Sequence, residues 1–265
     1  MPGESNYGKI FRCGSGINTA GRSVQMILVF DIIYDTAAKL HIPVLMHVAD
    51  PAAFFTPKSE KNERWEELDV CPEWDFSDHE KYMSFEELME MQENTVRSHP
   101  ETTFVIAHVG SYAENLEWVS GQLEKYPNMY IDVAARLAEL GRVPYSAKKF
   151  FVKHQDRILF GTDCTPLGMG YHKIYYRFFE TKDEYFPYQP EGELPGQGRW
   201  AIYGIGLEDE ILKKIYYKMH VKFFLLMKSL CRRCEMRRYL SVDCGGTKTA
   251  FFCAVKRESW KLRVR

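Results

Sequence analysis

Helical and strand-like patterns of hydrophobic residues alternate along the chain from about residue 30 onward. Residues 31–40 carry apolar side chains at helical spacing, and the apolar run IPVLMHV (43–49) that follows has the length of a strand. Such alternation is typical of βα units around a parallel sheet whose strands are buried on both faces. The pattern therefore predicts an α/β fold.

Three further helix–strand pairs follow in the same order. Ser84 and Glu87 have the spacing of a capping box and open the second predicted helix, and Ser111 and Glu114 repeat this spacing for the third. The remaining predicted segments are strands at 102–109, 129–135 and 157–163, helices at 145–155 and 207–218, and a long Gly-, Pro- and Tyr-rich loop at 164–206.

Composition and charge limit the classes of partner. The 265 residues are 45% hydrophobic, which suffices for a large core, and 35 Lys and Arg balance 36 Asp and Glu. This balance gives no electrostatic attraction to nucleic acid or to an anionic membrane, so we expect a small-molecule substrate. No apolar stretch is long enough to span a bilayer, and the polar opening lacks the apolar core of a secretion signal, so we expect a cytoplasmic protein.

The cysteines do not indicate a secreted disulfide scaffold. Seven cysteines at irregular positions are an odd number, and reduced thiols are the simpler interpretation. Cys231 and Cys234 form a CxxC pair, but no second pair or nearby histidine completes a ligand set. We therefore interpret this pair as incidental.

Polar residues stand at the carboxyl ends of three of the predicted strands. They are His47 in LMHVAD, His108 in IAHVGS and Asp163 in FGTD. A lone histidine in an apolar strand is more often a hydrogen-bonded core residue than a ligand. Three such residues at one rim of a parallel sheet favour a site instead, and imidazole nitrogen and carboxylate oxygen are good ligands for zinc and similar divalent ions.

Two further aspartates are weaker candidates. Asp50 begins an Asp-Pro pair and is equally explained as the start of a turn. Asp132, in the third strand, has the position from which a carboxylate orients a neighbouring histidine.

The order of these strand-end residues carries a family resemblance. Along the chain, one strand ends in a His, the next ends in a second His, the third has no His and the fourth ends in FGTD. This order resembles the last four strands of the amidohydrolase-related family, which comprises metal-dependent TIM-barrel hydrolases and decarboxylases. The loop HVADPAAFFTPKSEKNERWEEL with the following PEWDF resembles the long loop after the fifth strand in one subfamily. The similarity covers about residues 29–218. It implies a partial (β/α)8 TIM barrel, strands five to eight, over 29–224, after an irregular segment 1–28.

The same resemblance implies roles for the strand-end residues. His47 would bind a divalent metal, for which zinc is favoured, and Asp163 would bind the metal or take a proton from the attacking water. His108 would act as general acid or base or polarise the substrate carbonyl. The implied reaction is hydrolysis of an amide, ester or lactone, although decarboxylases of the family reuse the site. The implied substrate-loop residues, each of which could equally pack structurally, are Phe54, Phe55, Arg64 and Trp65.

One part of the family pattern is missing from this sequence. The family's barrel begins with a strand ending in His-x-His, whereas no histidine precedes residue 41 here. Four parallel strands cannot close a barrel, and their two open edges would expose unpaired backbone groups. The alternatives are therefore an active hydrolase, or an inactive fragment that self-associates through the open sheet edges.

The tail, residues 225–265, contains a motif of another kind. The segment SVDCGGTKT resembles the first β-hairpin of BadF/BadG-type ATPases and N-acetylglucosamine kinases. In such turns glycines let backbone amides approach phosphates. The nucleotide-binding residues that this resemblance implies are Asp243, Gly245, Gly246, Thr247, Lys248 and Thr249. One hairpin has no core of its own, so we favour a joined neighbouring reading frame and keep nucleotide binding as the alternative.

Overall fold

Four short parallel strands form the centre of the fold. The computed structural model describes residues 20–163, 172–188 and 197–223, with side chains from residue 30 onward. The strands lie in one sheet in chain order, with all neighbours parallel. Their bounds are β1 (Val44–Met46), β2 (Phe104–Ile106), β3 (Met129–Asp132) and β4 (Ile158–Leu159). The predicted α/β class and parallel sheet are confirmed.

Helices alternate with these strands, as in half of a βα barrel. They are α1 (Ala20–Lys39), α2 (Trp65–Val70), α3 (Phe85–Ser98), α4 (Ala107–Gly110), α5 (Leu116–Lys125), α6 (Leu137–Gly141), α7 (Pro144–His154), α8 (His172–Glu180) and α9 (Asp209–Lys213), which continues as a π-helical turn at Lys214–Lys218. Two 3-10 turns lie at Ala52–Phe55 and Pro72–Trp74. The partial-barrel prediction is confirmed by the succession of helix–strand pairs, which are α1–β1, α3–β2, α5–β3 and α7–β4.

Both faces of the sheet are covered by apolar side chains. Phe104 and Ile106 of β2 belong to the main core with residues of the surrounding helices, whereas Val105 packs in a separate cluster with Leu159 and Met219. Successive side chains of a strand point to opposite faces. The strand β2, whose three residues are all buried, therefore reads as a continuous apolar run.

The helix α1 is longer than its apolar spacing predicted. It begins at Ala20, inside the segment that we expected to be irregular, rather than at Asp31. No proline follows Ala20 before the helix ends at Lys39, so nothing in the sequence stops the helix at the predicted boundary.

The predicted loop 164–206 is wrong in its centre, where α8 spans His172–Glu180. The side chains of Tyr175, Phe178 and Phe179 are fully buried in the main core. These residues have i, i+3, i+4 spacing, so they lie on one face of a helix. The high proportion of Gly, Pro and Tyr in the flanking sequence concealed this signal.

One of the two predicted capping boxes is wrong. Ser111 has left-handed backbone angles and precedes α5 by several residues, and the cap is Asn115, whose side chain accepts a hydrogen bond from the Trp118 N–H. The Glu114 carboxylate accepts from the Ala52 N–H at 2.9 Å instead. The serine is unavailable as a cap because it belongs to the turn that follows β2.

Several predictions fall outside the described residues. These are the tail 225–265 with its hairpin motif from Asp243 to Thr249, and the CxxC pair Cys231 and Cys234. Within the described part of the chain, no helix combines the length and apolarity that a bilayer span requires.

The capping box at the start of α3 gives a stability prediction. The Ser84 hydroxyl accepts from the Glu87 N–H at 3.2 Å and the Glu87 carboxylate accepts from the Ser84 N–H at 2.8 Å. We expect Ser84→Ala to lower the free energy of unfolding in urea by about 1 kcal/mol, because the lost cap leaves an N–H group unpaired. Ser98→Ala, at the exposed far end of the same helix, is the control and should change it by less than about 0.5 kcal/mol.

Candidate functional site

His47 and His108 lie side by side at one rim of the sheet. His47 directly follows Met46, the last residue of β1, and His108 comes two residues after Ile106, the last residue of β2; the register pairs Met46 with Ile106. Both histidines therefore lie just beyond the same rim, with His108 Nε2 3.2 Å from His47 Nδ1 and the two rings edge to face at 4.8 Å. The structure brings together the two histidines that the sequence singled out.

The ring of His108 is held from the rim of β3. Its Nδ1 lies 2.9 Å from the carbonyl oxygen of Ala134. A carbonyl only accepts, so Nδ1 carries the proton in the neutral ring and Nε2 presents its lone pair toward His47. Asp132 supports both partners, since its Oδ1 accepts from the backbone N–H of His108 at 2.9 Å and of Ala134 at 3.0 Å. Asp132 thus orients His108, which is the role that its position suggested.

The backbone around His108 is left-handed. His108, Val109, Gly110 and Ser111 have φ values of 60, 57, 69 and 64°. This conformation costs roughly 1–2 kcal/mol for each residue with a Cβ. The predicted strand 102–109 therefore ends early, at Ile106, because the chain turns to direct the histidine along the rim. Backbone strain of this kind concentrates at functional sites.

Burial keeps His108 neutral. Desolvation, and after it the positive charge of Arg136, lower the pKa of His108 to about 3, although the hydrogen bond to Ala134 acts in the opposite direction. His47 is much more open, with 41% of its side chain exposed, and its Nε2 lies 3.6 Å from Asp50 Oδ1. The pair therefore joins one buried neutral imidazole to one that meets solvent.

Asp163 lies beyond β4 in a left-handed conformation with φ 59°. Burial raises the pKa of its carboxyl, while the charges of His47 and Arg136 lower it and that of Asp50 raises it. Burial likewise raises the pKa of Asp132, and the charge of Asp163 raises it further. Asp163 is thus within electrostatic reach of His47 and of both weaker candidates, Asp50 and Asp132, but among the described residues it does not join the two histidines in a cluster that could hold a metal ion.

The four predicted substrate-loop residues pack or pair within the protein. Phe54 stacks on Trp74 at 5.9 Å, and Phe55 contacts Phe76 and other aromatic rings of the second core cluster. The ring of Trp65 lies under the Arg199 guanidinium. The substrate-binding role of these residues stays a prediction.

Arg64, the fourth of them, is almost completely buried. Its guanidinium pairs with Glu139 and, at 3.0 Å, with Glu67. Burial raises the pKa of Glu67 to about 7 even though Arg64 opposes the shift. These contacts tie the long loop after β1 to α6 and explain why a charged residue is found inside the core.

The donor set of the rim fits a metal only in part. Within the described ranges, no three His, Cys, Asp or Glu side chains are arranged to hold an ion. The 3.2 Å between the two histidine nitrogens is nonetheless close to the ~3.3 Å expected for two ligands of one tetrahedral zinc with bonds of about 2.0–2.1 Å. Two of the usual four ligands are therefore in place, and additional donors would have to complete the set.

Sequence reasoning missed Arg136, which begins the turn after β3 and is only 4% exposed. A signal was present, since an arginine follows directly on the apolar run MYIDVAA. An arginine at the carboxyl end of a barrel strand points to the active-site rim as a strand-end histidine does.

A protein-family match covers most of the chain. A family model described as "Amidohydrolase" matches residues 14–218. A solved structure of an uncharacterised TIM-barrel protein from Bordetella bronchiseptica is similar at 14% identity and a TM-score of 0.39, over 75% of this chain and 51% of that one. The chain thus spans about half the length of that protein. No curated protein matches the chain.

The depressed pKa of His108 predicts a specific loss of stability in acid. The folded protein takes up this proton only near pH 3, whereas the unfolded chain takes it up near pH 6.5. The free energy of unfolding therefore falls as the pH decreases through this window, by about 1.4 kcal/mol per unit, and is unaffected by this group above pH 6.5.

We expect the stability difference between the wild type and His108→Gln to shrink by about 2 kcal/mol between pH 7 and pH 4.5, measured by urea unfolding. The exposed His79→Gln serves as the control. If the difference in unfolding free energy between the wild type and His108→Gln stays constant over this pH range, the buried neutral state of His108 is contradicted.

Proposed function

The chain belongs to the amidohydrolase family, and from that premise we propose that it hydrolyses a small molecule at the rim where His47 and His108 meet. The bond cleaved would be the C–N or C–O bond of an amide, ester or lactone. The observation that carries the proposal is the pair of histidine nitrogens 3.2 Å apart at the carboxyl ends of neighbouring parallel strands. A cytoplasmic location belongs to the same proposal.

His47 and His108 would hold a divalent cation, with zinc favoured, and Asp163 is a described carboxylate within electrostatic range of His47. Neutral imidazole is the form that binds metal, and the low pKa of His108 keeps its lone pair available throughout the neutral range. Such a cation polarises a carbonyl and lowers the pKa of bound water toward neutrality.

The geometry of His108 selects among its predicted roles. Because Nδ1 donates to Ala134, Nε2 has no proton to give to a substrate carbonyl in the neutral ring. A group with a pKa of about 3 is also a poor general acid near pH 7. A ligand or hydrogen-bond acceptor is therefore the role that we propose for His108.

Asp163 is the proposed proton acceptor. Desolvation raises the pKa of its carboxyl above the ordinary aspartate value, although part of the residue is exposed to solvent. A carboxylate of raised pKa is a better base near neutral pH than an exposed one. Asp163 would take the proton of the attacking water while Asp132 keeps His108 in place.

Metal binding tests the first part of the proposal. Elemental analysis of purified protein should find a divalent ion in stoichiometric amount, and His47→Ala or His108→Ala should weaken zinc binding by at least about tenfold, because each removes one ligand. His79→Ala, an exposed histidine, should bind zinc as the wild type does. A wild-type protein that takes up no divalent ion in a zinc titration would refute the proposed site.

The pH dependence of hydrolysis tests the second part. On a panel of esters, lactones and amides, Asp163→Asn should reduce kcat by about 100-fold or more, since proton acceptance by a positioned carboxylate contributes 10²–10⁴-fold. Wild-type kcat/KM should fall as the pH decreases through the raised pKa of Asp163, so the acid limb should lie above the pKa of an ordinary aspartate. Release of CO2 from a carboxylated substrate, without hydrolysis of any panel member, would assign the site to decarboxylation instead.

A further inference from the structure

Arg136 is a buried cation at the rim of β3 and forms no ion pair with another described residue. Its side chain is 4% exposed, and its hydrogen bond to the described residues runs from Nη1 to the carbonyl oxygen of Ala135 at 2.8 Å. None of the ion pairs among the described residues includes it. A guanidinium has five N–H donors, so most of the hydrogen-bonding capacity of Arg136 is unused among the described residues.

A second buried arginine shows what a purely structural role looks like. Arg64 is equally buried, but two carboxylates, from Glu67 and Glu139, neutralise it. An unpaired buried charge is costly, and structures normally pair it. Because Arg136 lacks the pairing that Arg64 has, its donors are left for a ligand.

Arg136 lies beside the histidine pair. It comes two residues after Ala134, whose carbonyl accepts from the His108 ring at 2.9 Å, so it stands on the same rim as the proposed reaction centre. Its charge depresses the pKa of His108 and acts on the carboxyl of Asp163. A ligand that contacts Arg136 would therefore be near both groups.

No carboxylate in the described part of the chain lies within ion-pair distance of Arg136. Its charge nonetheless acts on four carboxyls: Glu67, Glu114, Asp132 and Asp163. Their carboxylates also have other partners, for example the Ala52 N–H for Glu114. An incoming anion would thus meet a guanidinium that is not already neutralised by a close pair.

We propose that Arg136 anchors a carboxylate group of the substrate, so that the hydrolysed molecule is a small organic acid. A carboxylate is favoured because its two oxygens match the planar N–H fork of a guanidinium. The proposal rests on the proposed function in taking the histidine pair as the reaction centre, but anion binding itself does not require a metal.

Carboxylate binding can be measured in metal-free protein. In EDTA, benzoate should raise the Tm of the wild type and its neutral isostere benzamide should not. Arg136→Gln should weaken benzoate binding by at least about tenfold, because a charge-assisted hydrogen bond is lost. Arg136→Lys keeps the charge but not the fork, so it should bind with intermediate affinity. The control is Arg97→Gln on the exposed end of α3, which should bind benzoate as the wild type does.

The outcomes separate this proposal from a structural role and from the proposed function. Arg136→Gln should have a Tm no lower than the wild type, because it removes an unpaired buried charge. A much lower Tm together with full benzoate binding by Arg136→Lys would assign a structural role. Three results would overturn the carboxylate assignment. They are equal Tm shifts of the wild type with benzoate and benzamide, a larger Tm shift with inorganic phosphate than with benzoate, and no Tm shift with benzoate. Because EDTA is present throughout, failure of the metal site leaves these results unchanged.

Discussion

The candidate site depends on one carboxylate that joins two strand ends. Asp132, the last residue of β3, accepts hydrogen bonds from the backbone of His108 and of Ala134, and Ala134 in turn accepts from the His108 ring. This closed set of contacts fixes both the backbone and the side chain of the histidine. It also offsets the unfavourable left-handed turn, since backbone N–H groups that donate to a carboxylate make stronger hydrogen bonds than those that donate to neutral acceptors.

Burial gives the rim its chemical character. The same desolvation that lowers the pKa of His108 raises those of Asp132 and Asp163. Arg136 is buried at the same rim and forms no ion pair among the described residues, so its N–H donors favour anionic partners.

The sequence predicted the sheet and the histidine pair but not the details that shape them. Apolar runs and capping signals locate strands and helices, and the parallel order then places strand ends at one rim, so His47 and His108 could be brought together without coordinates. The turn at His108 could not be predicted, because left-handed angles at a histidine and a valine contradict local preference and are imposed by Asp132. Arg136 was overlooked because an arginine next to a strand is usually solvated, and only the structure shows that it is buried and unpaired.

The position of β1 explains why the two histidines differ. β1 is an edge of the described sheet, and its central residue Leu45 is 64% exposed, an unusual value for a leucine in a parallel strand. His108 on the next strand has neighbours on both sides, whereas His47 has a covered side only toward β2. The larger exposed fraction of His47 therefore follows from the edge position of β1 in the described sheet. A donor that approached from beyond β1 would meet His47 before it met His108.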